Sequence, residues 1–204
     1  MAKKSKQLYT VPEVRKVDRV GKRTAILVAS GDLRESANMA CWPAQQAMEE
    51  QARKAFEALG WKLVRAPVPG ASAHGFVSSQ AQGREVFAGI HPDAPLVVAE
   101  AVWQYSHHVL MGLCRHRGPI LILANWSGQW PGLVGALNLR ASLTKAGVEY
   151  SLLWGEDFGA KAFEAKLKQW TEKGRIKHDL SHVSRLDVKE LPSRERKLGE
   201  ANFH

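Results

Sequence analysis

Three short stretches of the chain concentrate side chains able to grip a small polar molecule. The first is Ser30-Gly31-Asp32-Leu33-Arg34-Glu35. Arg34 offers a planar fork of N–H donors suited to a hydroxyl or a carboxylate. A surface ion pair with Asp32 or Glu35 would use the same donors. The second stretch holds Glu100, Trp103, Gln104, Tyr105, Ser106, His107 and His108. An indole such as Trp103 covers the C–H face of a sugar, and amide and imidazole groups take its hydroxyls. The competing reading packs Trp103 on the following helix and lets the histidine pair cap it. Adjacent histidines on a helix point in different directions, so His107 and His108 are not expected to ligate one metal ion. The third stretch is Asn125-Trp126-Ser127-Gly128-Gln129-Trp130-Pro131-Gly132. Its glycines allow close backbone approach, and a helix start behind it offers free N–H groups. Gln129 and Trp130 are its candidate ligand contacts. A tight loop between subunits would have the same composition.

These residue types fit polyol binding rather than bond breaking. The candidate substrate-binding residues are Arg34, Trp103, Gln129 and Trp130. No catalytic residue and no metal ligand is assigned. GxGxxG and GxxxxGK[ST] are both missing, which argues against the usual NAD and ATP cradles. GxSxG, the strained turn of a serine nucleophile, is missing too, as is HExxH. His178, Asp179 and His182 come nearest to a metal triplet. They fall outside the regular pattern and read as a solvated connector.

The elements that must carry these stretches follow from periodicity. Thr24 to Ser30 (TAILVAS) is a continuous apolar run, as expected of a strand buried on both faces. Met48, Ala52, Ala55, Phe56 and Leu59 share one helical face, and Gly60 stands where a helix ends. The cycle then repeats. Strands are predicted at Trp61–Ala66, Leu96–Val102, Pro119–Ala124 and Val148–Trp154. Helices are predicted around Val86, Phe87 and Ile90, and over His107–Cys114. The next has a face of Leu133, Val134, Leu137 and Ala141, with Pro131 in its first turn. Gly147 ends it. A last stripe of Phe163, Leu167 and Trp170 is closed by Gly174. Five strand–helix units in alternation predict a three-layer, doubly wound, flavodoxin-like α/β fold with a five-stranded parallel sheet in the order 2-1-3-4-5. The expected division is a basic tail over 1–22, the α/β domain over 23–174, and a connector over 175–204 leading to a second domain that is missing. Ligands of such a sheet sit beyond the carboxyl ends of its strands, which is where all three stretches fall.

The formal charge of +9 invites a nucleic-acid reading. Its distribution argues otherwise. Residues 1–23 hold eight Lys/Arg against two Asp/Glu, and 161–204 hold eleven against seven, but 24–160 hold ten against eleven. The folded body is close to neutral, whereas a nucleic-acid-binding face carries the positive stripe itself. Neither nucleic acid nor membrane is expected as a partner. Met1 to Thr10 is basic and polar with no apolar segment behind it. No run approaches the roughly 18–20 apolar residues of a membrane span. Cys41 and Cys114, the only cysteines, form no CxxC and are expected as buried free thiols. A cytoplasmic setting is the expectation.

Taken in order, these stretches resemble one family, the L-fucose/L-arabinose isomerase-like sugar ketol-isomerases. Gly31-Asp32-Leu33-Arg34-Glu35-Ser36 is similar to the family's Arg-Glu element after the first strand. Glu100-Ala101-Val102-Trp103 is similar to its Trp-bearing turn after the third. Asn125 to Gly132 resembles the Asn-Gly…Pro-Gly turn after the fourth, and the likeness continues through Leu133–Lys145 and Leu153-Trp154-Gly155-Glu156-Asp157. The resemblance covers about residues 24–183. It implies the N-terminal domain of a larger, hexameric enzyme that interconverts aldoses and ketoses by proton transfer through an ene-diol. Manganese would be held by a Glu, an Asp and a His beyond this domain, so this chain alone is expected to bind no metal and to be inactive. The resemblance further implies that Arg34 and Trp103 help hold the sugar in a neighbour's active site. A stand-alone polyol-binding module without catalysis, and an inactive remnant, are the alternative readings.

Overall fold

A computed structural model describes residues 16–68, 73–101, 107–126, 132–179 and 181. Five strands alternate with five helices: β1 (Thr24–Val28), α1 (Glu35–Ala58), β2 (Lys62–Arg65), α2 (Gln80–Ala88), β3 (Leu96–Glu100), α3 (His107–Arg115), β4 (Ile120–Asn125), α4 (Gly132–Lys145), β5 (Ser151–Gly155) and α5 (Lys161–Lys173). All strand pairs are parallel, and the order is β2-β1-β3-β4-β5. The chain has the doubly wound, three-layer, flavodoxin-like fold that its periodicity predicts.

Side-chain alternation divides the core into two layers. Ala25, Leu27, Val97, Ala99, Leu121 and Leu123 face α1 and α5, where Met48, Ala52, Phe56, Phe163, Leu167 and Trp170 meet them. Phe56 and Trp170 touch edge to face, 6.0 Å apart and 78° between planes. On the other side, Val28, Leu96, Val98, Ile120 and Ile122 pack with Val86, Val109, Leu113, Ala136, Leu139 and Leu143 of α2, α3 and α4. β3 and β4 are buried along nearly their whole length, as central parallel strands require.

Helix ends follow the glycines. Gly60, Gly147 and Gly174 all take left-handed φ near +70°, and the Gly174 amide donates to the Trp170 carbonyl, an αL ending. The stripes expected of α1 and α5 are buried as read at Met48, Ala52, Ala55 and Phe56, and at Phe163, Leu167 and Trp170, whereas Leu59 caps the end of α1 and is only partly buried.

Several expectations need correction. The first, second, third and fifth strands are shorter than their apolar runs; β1 stops at Val28, β3 stops at Glu100 and β5 begins at Ser151. α1 begins at Glu35, far ahead of the apolar stripe, and runs through Pro43. α4 turns a different face inward. Gly132, Gly135, Ala136, Leu139 and Leu143 are buried, whereas Val134 and Leu137 are nearly half exposed. Apolar residues surround this helix, so the pattern alone could not select the small residues that let it approach the sheet. Cys114 is exposed and Cys41 only partly buried. Residues 16–22 belong partly to the folded body: Val20 packs on the α2–α4 layer, and Arg19 lies 3.7 Å from Asp93. Pro131 lies outside the described residues.

Candidate functional site

In a 2-1-3-4-5 sheet the crossovers leave in opposite directions from β1 and β3, opening a crevice at their carboxyl ends. The loop after β1 enters that crevice and is held from every side. The amide of Gly31 donates to the Val77 carbonyl at 2.8 Å, and Val77 returns a bond to Ala29. A Cβ on Gly31 would fall 2.6 Å from both Phe76 Cβ and Asn38 Oδ1. Only glycine therefore lets the loop lie this close. Asn38, buried in the first turns of α1, accepts from the Asp32 amide at 2.7 Å and donates to the Asp32 carbonyl at 2.9 Å.

This loop orients Arg34. Asp32 accepts from the Arg34 amide (2.8 Å), from Nε (3.0 Å) and from Nη2 (2.8 Å). The guanidinium is gripped along one edge, while the side chain stays 72% exposed. The ion pair considered for Arg34 thus forms with Asp32. The hydrogen bonds from Arg34 hold the Asp32 carboxyl at about pH 2, below its usual value. A folded-state value below the unfolded one stabilises the fold above about pH 4 and is lost as pH falls toward 2. Asp32→Asn should remove that acid limb. It should loosen the loop without unfolding the protein, a modest shift in urea midpoint at pH 7, because Asn keeps one acceptor.

Glu35, next along, accepts from His74 Nε2 at 2.9 Å. The His74 Nδ1 accepts from the Phe76 amide at 3.2 Å, which leaves the ring proton on Nε2. The His74 side chain is fully buried. Its imidazole therefore ties the start of α1 to the segment 73–78.

The exit of β3 carries a different chemistry. Glu100 is 1% exposed, and neither carboxylate oxygen has a hydrogen-bond partner among the described residues. Burial pushes its carboxyl well above the usual glutamate range. Alternation aims it at the same layer as Leu96 and Val98. His108, in the first turn of α3, is likewise buried, with neither ring nitrogen hydrogen-bonded among the described residues. Burial pushes its imidazole downward, neighbouring His107 adds to this, and Asp32 opposes it. Burial thus favours the neutral form of both the Glu100 acid at the end of β3 and the His108 imidazole at the start of α3. A third feature lies at the β4 and β5 exits. Trp126 and Trp154, each 47% exposed, stand 5.9 Å apart. They flank a groove of about 550 Å³ with Glu156, Asp157, Lys166 and His178 on its walls.

Of the four sugar-contact candidates, Arg34 sits at the carboxyl end of β1. Trp103, Gln129 and Trp130 lie outside the described residues, as does His182. His178 and Asp179 are exposed. Among the described residues, no three or more His, Cys, Asp or Glu side chains are grouped so as to hold a metal ion, and no helix is long and apolar enough to cross a membrane. The periodicity reading missed Gln45, Glu49, Arg65 and His74. Gln45 could have been found, because it continues the buried stripe of Met48, Ala52 and Phe56 one turn earlier. A polar residue on an apolar stripe must find partners inside. His74, in a Gly/Ser/Pro-rich loop, has no such signal. No protein-family model matches the sequence, and no curated protein matches it.

Proposed function

We propose that this chain is the N-terminal α/β part of an aldose–ketose isomerase of the L-fucose isomerase-like kind. It lends sugar-binding residues to an active site whose metal ligands and acid–base carboxylates come from other sequence. The observation that carries the reading is Arg34. Its side chain stands just past the carboxyl end of β1, 72% exposed, with the guanidinium held along one edge by Asp32. A pre-oriented fork of this kind loses little freedom on meeting a hydroxyl pair. It stands inside the ordered motif Gly31-Asp32-Leu33-Arg34-Glu35-Ser36, which carries the resemblance. Trp103, Gln129 and Trp130 complete the proposed contact set, with a homo-oligomer bringing it to a neighbour's site. Manganese is expected in the complete enzyme. The described residues offer no donor group that fits it.

A thermal-shift and turnover screen of the purified chain tests the proposal. Aldoses or alditols at millimolar concentration should raise the melting temperature. Added manganese should produce no aldose–ketose interconversion. In the complete enzyme, Arg34→Ala and Trp103→Ala should each lower kcat/KM about tenfold or more, on the scale of a charged hydrogen bond for the arginine and of an aromatic ring's contact with the sugar face for the tryptophan. Unchanged kinetics in both variants would remove the sugar-contact role. Turnover by the 204-residue chain alone would show that it is not merely a part.

A further inference from the structure

The two segments that the proposed site depends on, the loop after β1 and the exit of β3, are joined by an unbroken series of contacts on the α1 side of the sheet. We infer that Gln45, Glu49 and Arg65 form a positioning brace that sets the Arg34 loop relative to the β3 exit leading to Trp103. The inference rests on the sugar-site reading for its purpose, but its geometry is independent of it.

The brace begins at β3. Parallel pairing with β1 ends at Val28–Val98, so the last backbone groups of β3 need other partners on that edge. Gln45 supplies them. It is fully buried; its Nε2 donates to the Ala99 carbonyl at 3.1 Å, and its Oε1 accepts from the Ala101 amide at 3.1 Å. A side-chain amide, with one donor end and one acceptor end, stands in for the missing strand. Nε2 also donates to Glu49 Oε1 at 2.7 Å, one helical turn on. Glu49 is then clasped by Arg65, Nε to Oε2 at 2.7 Å and Nη2 to Oε1 at 2.8 Å.

Arg65 carries the connection to the other loop. Its remaining Nη1 donates to the Gly75 carbonyl, and its guanidinium lies over Trp42, 5.0 Å from the ring centre. A Cβ on Gly75 would fall 2.6 Å from both the guanidinium carbon and the Trp42 ring, so the backbone presses directly on this stack. Trp42 meets Phe76 edge to face at 5.3 Å. The Phe76 amide bonds His74, and His74 bonds Glu35, the neighbour of Arg34. Side-chain exposures of 26% for Arg65 and 13% for Glu49 leave the pair poorly screened. Apolar residues could fill this volume with equal or better stability. A two-pronged ion pair whose third donor and second acceptor are also used fixes a direction, which packing alone does not.

The test compares Gln45→Met, which fills similar volume but bonds neither Ala99, Ala101 nor Glu49, with Leu139→Ala, a core truncation on the opposite layer. L-fucose is titrated into each protein and followed by tryptophan fluorescence, and backbone amide shifts are recorded without sugar. The expected result is a Kd raised at least tenfold in Gln45→Met and unchanged in Leu139→Ala. Amide shifts in Gln45→Met should travel past Glu49 to Gly75, His74 and Glu35. Equal affinity in both variants, or equal loss in both, overturns the brace. If the wild-type protein shows no saturable binding, the sugar-site reading fails. The brace then stands or falls on the amide shifts: a perturbation that stops at Glu49 overturns it. Should Gln45→Met not fold, Arg65→Lys takes its place. It keeps the charge but loses the fork, and the same shifts at Gly75 and His74 are required.

Discussion

Glu100→Gln should flatten the fall of stability with rising pH and leave a protein more stable than wild type at pH 8. The Glu100 carboxyl is fully buried with no partner for either oxygen among the described residues. Burial disfavours its charged form, so the folded state holds the proton more tightly than the unfolded chain does. A value raised in the folded state contributes its full stabilisation below the unfolded value, about pH 4.3. That contribution is lost as pH climbs from there toward the folded value. The loss for one such group approaches about 1.4 kcal/mol per pH unit. Glutamine matches the neutral acid in shape and does not titrate, so the Glu100 share of the slope should vanish. His108 runs the other way. Its value is lowered by burial, so it stabilises the fold above about pH 6.5 and that stabilisation is lost on acidification. Urea unfolding from pH 5 to pH 8 in wild type and Glu100→Gln isolates the glutamate part, because His108 is common to both. Parallel stability curves would mean that Glu100 is ionised and partnered in the folded protein.

Glu100 also illustrates what periodicity does and does not carry. The run Leu96 to Val102 announces a buried strand because its apolar residues are continuous, and β3 is that strand. The glutamate within the run is visible in the sequence, but its isolation is not. Whether a buried acid meets a cation depends on residues far along the chain. The same holds for the crevice. The strand order was readable because strictly alternating units and right-handed crossovers leave few topologies. The Gly31–Arg34 loop stood out because its residue types are unusual after an apolar run, and it does sit at the carboxyl end of β1. Asp32 as the partner of Arg34 needed the turn geometry to decide between two neighbouring acids. Gln45, Glu49 and Arg65 span twenty-one positions of the sequence, two elements and no motif, so only the packing of α1 on β2 brings them together. The inward face of α4 failed to show for the opposite reason: apolar residues all round a helix leave the choice to the close approach of backbones.

That close approach should make Gly132 the least replaceable of the glycines that start or end helices. A Cβ added there would fall on the carbonyl group of Glu100 and on Oδ1 of Asn125, well inside contact distance. The Glu100 carbonyl is backbone at the end of a central strand, and it cannot rotate away as a flexible side chain could. α4 would have to lift off β3, opening the layer that Ala136, Leu139 and Leu143 fill. Gly132→Ala should therefore cost about 3 kcal/mol, at the upper end of overpacking substitutions, read as a lower urea midpoint with little change in slope. Gly147→Ala is the comparison. Among the described residues nothing lies within 4 Å of its Cβ position, but its φ is +68°, so the left-handed backbone is what is penalised, by about 1–2 kcal/mol. If the two variants were equally stable, α4 would not be pinned against the β3 exit by its first residue. If Gly132→Ala is the weaker of the two, the carbonyl of Glu100 and the start of α4 are locked together. The end of β3 is then fixed on one side by Gln45 and on the other by Gly132.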